Sequence, residues 1–231
     1  MIRHKWILIV LIVVLIGSIT SGCWIHDKSN KKHVDLLMSF DIVRSPTQEK
    51  TVSRGKAIIQ LAKVLGVSDS WAERGVYGTN PALVEAYSDY AGFSGDYSDL
   101  ELGYMGLCSH VICGVDKEKY GYPIELRPKD FLTKQEALEY MLFCVEEQNP
   151  DKNKKVLYRA RDNNIIEVFD FMSFTELNSY ISEKQYNKLL YKLLNHKRYL
   201  YLTKERALYV EHDLDIYNDS AITYKKFLEQ R

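Results

Sequence analysis

The chain carries no excess charge of either sign, because 31 Lys and Arg face 31 Asp and Glu over 231 residues. That balance excludes a nucleic-acid binder held by a basic surface. Cysteine is scarce, with four residues at positions 23, 108, 113 and 144, and no pair has the Cys-x-x-Cys spacing of a zinc ribbon or a dithiol redox centre. Only one long apolar run occurs, Trp6 to Ile16, which excludes a protein with several membrane spans. The patterns G-x-S-x-G, H-E-x-x-H, G-x-G-x-x-G and the Walker glycine loop are all absent. The chain therefore reads as non-catalytic, with no cofactor and no metal; an enzyme with groups drawn from distant residues is the third reading. The run Glu211-His212-Asp213-Leu214-Asp215 has metal-ligand atoms, but alternation along a strand scatters them over two faces.

What is present begins with an export signal. Arg3 and Lys5 precede the apolar run, and Gly17 to Gly22 form a small, polar stretch before Cys23. Thr20-Ser21-Gly22-Cys23 resembles a bacterial lipobox, with Thr20 standing where Leu is usual. The resemblance implies cleavage before Cys23 and a diacylglyceryl thioether on its sulfur. An uncleaved anchor is the alternative, since the 20 residues Trp6 to Ile25 carry no charge and would span about 30 Å as a helix; soluble secretion is a third. Removing residues 1–22 takes away Arg3 and Lys5 and no carboxylate, so the exported remainder sits near −2. Residues 23–33 read as a tether, on the outer face of the membrane.

Two later segments share a helical pattern. In Val52 to Val67 the apolar or small residues are Ala57, Ile58, Leu61, Ala62 and Leu65; in Leu132 to Glu147 they are Ala137, Leu138, Met141, Leu142 and Val145. The spacing places each set on one helix face. Ser53 and Thr133 are suited to cap these helices, and Thr133 with Glu136 makes a capping box that Lys56 does not permit in the first. Ahead of the second segment come Tyr97-Ser98-Asp99-Leu100, an apolar helix to Val115, Gly114, Tyr120-Gly121-Tyr122-Pro123, and then Leu132-Thr133-Lys134-Gln135-Glu136-Ala137. This order resembles an S-layer homology (SLH) repeat. The resemblance covers Tyr97 to Val145 well and only the second-helix half over Val52 to Val67. A weaker echo lies at Ile181-Ser182-Glu183-Lys184-Gln185-Tyr186, where position 183 is acidic and the family has Arg or Lys.

Such repeats act as a set of three and hold cell-wall polysaccharide, and the resemblance implies that Arg54 and Lys134 are the glycan-binding candidates. Aromatic residues between the helices, among them Trp71 and Tyr97, suit local packing or stacking on sugars. The thiols of Cys108, Cys113 and Cys144 are expected to be buried, with one bridge from Cys144 as the alternative. After residue 150 the period changes. Val156 to Ala160 and Ile165 to Phe169 flank Arg161-Asp162-Asn163-Asn164 and read as a β-hairpin, a helical region runs from Ser173 to Asn195, and Tyr199 to Leu202 and Ala207 to Glu211 suit short strands. The expected architecture is therefore α+β, with a signal at 1–22, a tether at 23–33, an SLH-like helical domain at 34–150 and a C-terminal α+β region at 151–231. Two functions follow: a lipoprotein contacting cell-wall polysaccharide, or a scaffold lipoprotein whose C-terminal region binds an envelope protein.

Overall fold

An α-helix cannot satisfy its first N–H groups internally, and the way three helices of this chain meet that need organises the fold. The computed structural model describes residues 31–45, 50–70, 72–73, 89–112, 125–145, 154–168, 170, 174–197 and 223–230. They form α1 (31–39), α2 (Arg54–Val64), α3 (Tyr90–Phe93), α4 (Asp99–Ile112), α5 (Lys134–Val145), α6 (Val156–Asp162), α7 (Glu183–Leu194) and α8 (Tyr224–Glu229), with a 3₁₀ turn at Ser94–Asp96. Among the described residues there is no strand, only isolated antiparallel bridges. The export segment, the lipobox and the strands expected at 199–202 and 207–211 lie outside the described residues. Among those described, no helix is long and apolar enough to cross a membrane.

The segments ahead of α2, α5 and α7 exchange backbone hydrogen bonds in a closed cycle. Val52 N–H donates to the Ile181 carbonyl at 3.1 Å, Ile181 N–H to Leu132 at 3.0 Å, and Leu132 N–H to Val52 at 2.9 Å. One shell out the cycle repeats: Arg54 N–H donates to Asp130 at 2.8 Å, Lys134 N–H to Ser179 at 2.9 Å, and Glu183 N–H to Lys50 at 2.8 Å. The first free N–H of each helix is thus taken by a carbonyl of the neighbouring segment. The third is taken within the segment, by the hydroxyls of Ser53, Thr133 and Ser182, which accept from Lys56, Glu136 and Gln185 N–H. Thr133 with Glu136 and Ser182 with Gln185 complete reciprocal capping boxes, as their spacing predicts.

The aliphatic residue before each cap, Val52, Leu132 or Ile181, is buried, and so is the fourth helical residue, Ala57, Ala137 or Tyr186, the two positions that a hydrophobic staple pairs. Tyr186 is the odd member, and its hydroxyl crosses to donate to the Ala57 carbonyl at 2.8 Å. From this end α2, α5 and α7 run into a common core. The α4 helix packs on α2 and α6 packs on α5, while α7 touches both α2 and α5. Onto α7 comes α1, through the His33 ring stacked on Tyr191 at 3.9 Å between centroids. Residues 31–33, read as the end of the tether, are therefore part of a helix. At the far end α8 inserts Tyr224, whose hydroxyl donates to the Cys144 carbonyl at 2.8 Å, and the buried Phe227. One buried cluster runs from Leu37 to Tyr224 and draws on residues from both sides of position 150.

The hairpin expected over 156–169 is replaced by a helix. Val156–Asp162 is α6, and Asn163-Asn164 end it with Asn164 in the left-handed region at φ 56°. Asn164 N–H donates to Arg161 and Ile165 N–H to Ala160, which is the Schellman bonding pattern. Asn takes positive φ in a hairpin turn as readily as behind a helix, so the turn residues did not separate the two. Burial decided it: Ala160, Ile165 and Ile166 all enter the core, and α6 packs on α5. The same ending closes α1 at Asp41 and α2 at Gly66, where φ is 87° and a Cβ would lie 2.3 Å from the Phe227 ring.

Two outcomes follow. A Cβ at Gly55 would stand 2.9 Å from Pro128 Cβ and 3.0 Å from the Tyr97 hydroxyl. Overpacking of that kind costs roughly 1–3 kcal/mol, more than the ~1 kcal/mol that Ala gains over Gly in a helix. Gly55→Ala therefore lowers stability by about 1 kcal/mol in urea unfolding. The second concerns pH. Burial, then the charges of Lys188 and Lys192, hold the His33 pKa below its ordinary value. A histidine whose folded pKa is depressed binds its proton more readily unfolded, so stability falls as pH drops below about 6.5. His33→Phe keeps the stack and removes this proton site, and its melting temperature falls less between pH 7 and pH 5 than that of the parent.

Candidate functional site

The two basic residues singled out from the sequence occupy equivalent places, the first helical positions of α2 and α5, but they are used differently. The Arg54 side chain is 11% exposed and forms an ion pair with Glu136 of the neighbouring corner. Its Nη1 also donates to the Tyr140 hydroxyl at 3.4 Å. Glu136 in turn accepts from Thr133 N–H, so Arg54, a carboxylate and a helix cap are joined in one network. Lys134 is half-buried and makes no ion pair among the described residues. The third corner offers a reason, because the place equivalent to Glu136 holds Gln185, whose side-chain oxygen is taken by Ser182 N–H.

The two departures noted in the sequence, Lys56 for an acid and Glu183 for a base, prove to be partners. Lys56 Nζ lies 2.5 Å from Glu183 Oε1. Corner to corner, the first position of one helix meets the third position of the next. Arg54 to Glu136 has the base first, whereas Glu183 to Lys56 has it reversed. The sequence reading missed this because each departure was weighed within its own segment.

A cleft of about 430 Å³ opens along α2, and neither Arg54 nor Lys134 lines it. Residues 42–45 form one border and Tyr97 to Tyr104 the other, with Lys56, Gln60 and Lys63 of α2 between them. Lys63 pairs with Asp41 at 2.5 Å and Glu101 caps α4 by accepting from Ser98, so most charges here are answered within the protein. The Tyr104 hydroxyl donates to Asp69, and burial with that carboxylate pushes the phenol pKa upward. Arg44 is exposed and unpaired among the described residues. Gln60 is 6% exposed and its Oε1 has no hydrogen-bond partner among the described residues. An orphaned buried acceptor costs about 1–3 kcal/mol. One signal for Gln60 existed in the sequence: a polar residue three positions after Ala57, at the edge of the apolar face.

Of the other candidates, Cys144 is a buried free thiol that donates to the Tyr140 carbonyl at 3.2 Å, and burial pushes its pKa well up. That is the inert, packed state. Cys23, Cys113, Trp71 and 211–215 lie outside the described residues, as does the side chain of Cys108. No group of three or more metal-ligating side chains occurs among the described residues. No family model matches the chain, and no curated protein and no solved structure is found to be similar to it.

The reversed ion pair yields a charge-swap experiment. Lys56→Glu or Glu183→Lys alone sets like charges across the corner, and each costs about 1 kcal/mol in urea unfolding, limited by the 45% exposure of Lys56. The double exchange recovers most of that loss, and a double-mutant cycle measures the coupling.

Proposed function

We propose that the chain is a non-catalytic lipoprotein of the cell envelope, carried by a lipid on Cys23, whose SLH-like helices contact cell-wall polysaccharide. The observation that carries the reading is the closed cycle of Val52, Leu132 and Ile181, which joins three hydroxyl-capped helix starts, including the weak echo at Ile181-Ser182. A set of three is what the resemblance implies. Lys134, unpaired among the described residues, is the first-turn cation left to meet an acidic glycan, while Arg54 is mainly a strut of the cycle. Two short strands at 199–202 and 207–211 would make the C-terminal part α+β.

A second reading has its own support. Arg54 and the reversed Lys56 to Glu183 pair spend their charges inside the protein, which favours a scaffold whose C-terminal region binds an envelope partner. The two separate by sedimentation with purified cell-wall sacculi. Retention of the chain, reduced severalfold by Lys134→Ala with melting temperature unchanged, supports the polysaccharide reading, and failure to sediment overturns it. Intact mass of membrane-extracted protein tests the anchor: a diacylglyceryl adduct on an N-terminal Cys23 is expected, and an unmodified Met1 terminus refutes it.

A further inference from the structure

We propose that the cleft beside α2 binds an acidic sugar residue, with Gln60 as its buried acceptor and Arg44 as its charge partner. The choice of a sugar rests on the polysaccharide reading above; the site itself rests on the cleft. Three features of it point to a ligand. First, Gln60 lines the cleft, and its Oε1, buried just behind that lining, has no donor among the described residues, so an O–H or N–H group reaching it from the cleft would satisfy the acceptor. Second, Ile42, Val43, Ile59 and Leu100 give the cleft an apolar wall suited to the C–H face of a sugar ring. Its volume, about 430 Å³, lies within the roughly 300–1,000 Å³ typical of small-ligand sites.

The third feature is the sign of the unbalanced charge. Lys56 and Lys63 are answered by Glu183 and Asp41, and Glu101 is engaged at the start of α4. Arg44 at the rim is not answered by any described residue. Its guanidinium offers a fork of donors that fits a carboxylate in two-point fashion. A neutral sugar would use the buried acceptor and the apolar wall but leave Arg44 idle. An acidic one uses all three. Gln60 and Arg44 stand apart from Arg54 and Lys134, so this site is independent of the first-turn cations.

Calorimetric titration of the full chain tests the assignment, with N-acetylmuramic acid as the acidic probe and N-acetylglucosamine as the neutral one. The acid is expected to bind more tightly. Gln60→Leu removes the orphaned acceptor while keeping its volume, so it should raise the melting temperature and weaken both probes roughly three- to tenfold. Arg44→Gln lies on the exposed rim and should weaken the acid alone by a similar factor. Should Gln60→Leu fail to fold, the Arg44→Gln comparison decides by itself. No measurable binding of the acid, or equal affinity in parent and variants, overturns the proposal. Sacculus sedimentation of the same proteins keeps the two readings apart: variants that still sediment like the parent and bind the probe unchanged sink the cleft assignment while sparing the wall reading. A parent that binds the acidic probe yet does not sediment does the reverse.

Discussion

The fold depends on three N–H groups, those of Val52, Leu132 and Ile181, each of which is satisfied only by a segment remote in sequence. Any one of these bonds contributes about 0.5–1.5 kcal/mol net, but breaking one leaves a donor and an acceptor beside buried aliphatic side chains, where the penalty is larger than the gain. The cycle also supplies partners for the first turn of α2, α5 and α7, so cap, staple and cycle are satisfied together or not at all. Closing it joins residue 52 to residue 181, which pays loop-closure entropy before the core rewards it. Docking of α1 on α7 through His33 and Tyr191 then brings the first described helix onto the last corner of the cycle.

A cycle of three similar corners carries a hazard, since like segments can exchange places. The side chains break that symmetry. One corner joins base to acid, one joins acid to base, and in the third the place answering Lys134 holds the neutral Gln185. Placing α7 in the corner of α5 would bring Glu183 against carboxylate or amide where a base is required. Exposed pairs of this kind add little to stability, and their worth lies in penalising wrong arrangements. Tyr186 does the same by shape, because its hydroxyl needs the Ala57 carbonyl.

Local features were the legible part of the sequence. Periodicity found the apolar faces of α2 and α5, and the hydroxyl residues marked their starts and that of α7, because caps are chemistry between near neighbours. What escaped was whatever depends on two distant segments. Lys56 and Glu183 looked like separate defects until folding brought together two positions 127 apart in sequence. The segment 156–169 failed for another reason: Asn164 at positive φ ends a helix or turns a hairpin equally well, and the burial of Ala160, Ile165 and Ile166 that settles it belongs to the tertiary structure. Gln60 shows a third limit, since composition cannot tell a solvated polar residue at the edge of a stripe from one buried in the wall of a cleft.

These constraints meet on α2. Its first turn is held in the cycle, its apolar face lies in the core, its C-terminal end is fixed by Gly66 against Phe227, and its remaining face lines the cleft. A helix held at both ends and along one side cannot adjust its position to suit a ligand, so groups on its free face are preorganised and lose little freedom on binding. Overall neutrality then acquires a local meaning. Nearly every described charge around α2 is matched by a partner, and a site in such a surface gains its selectivity from the few groups left unmatched.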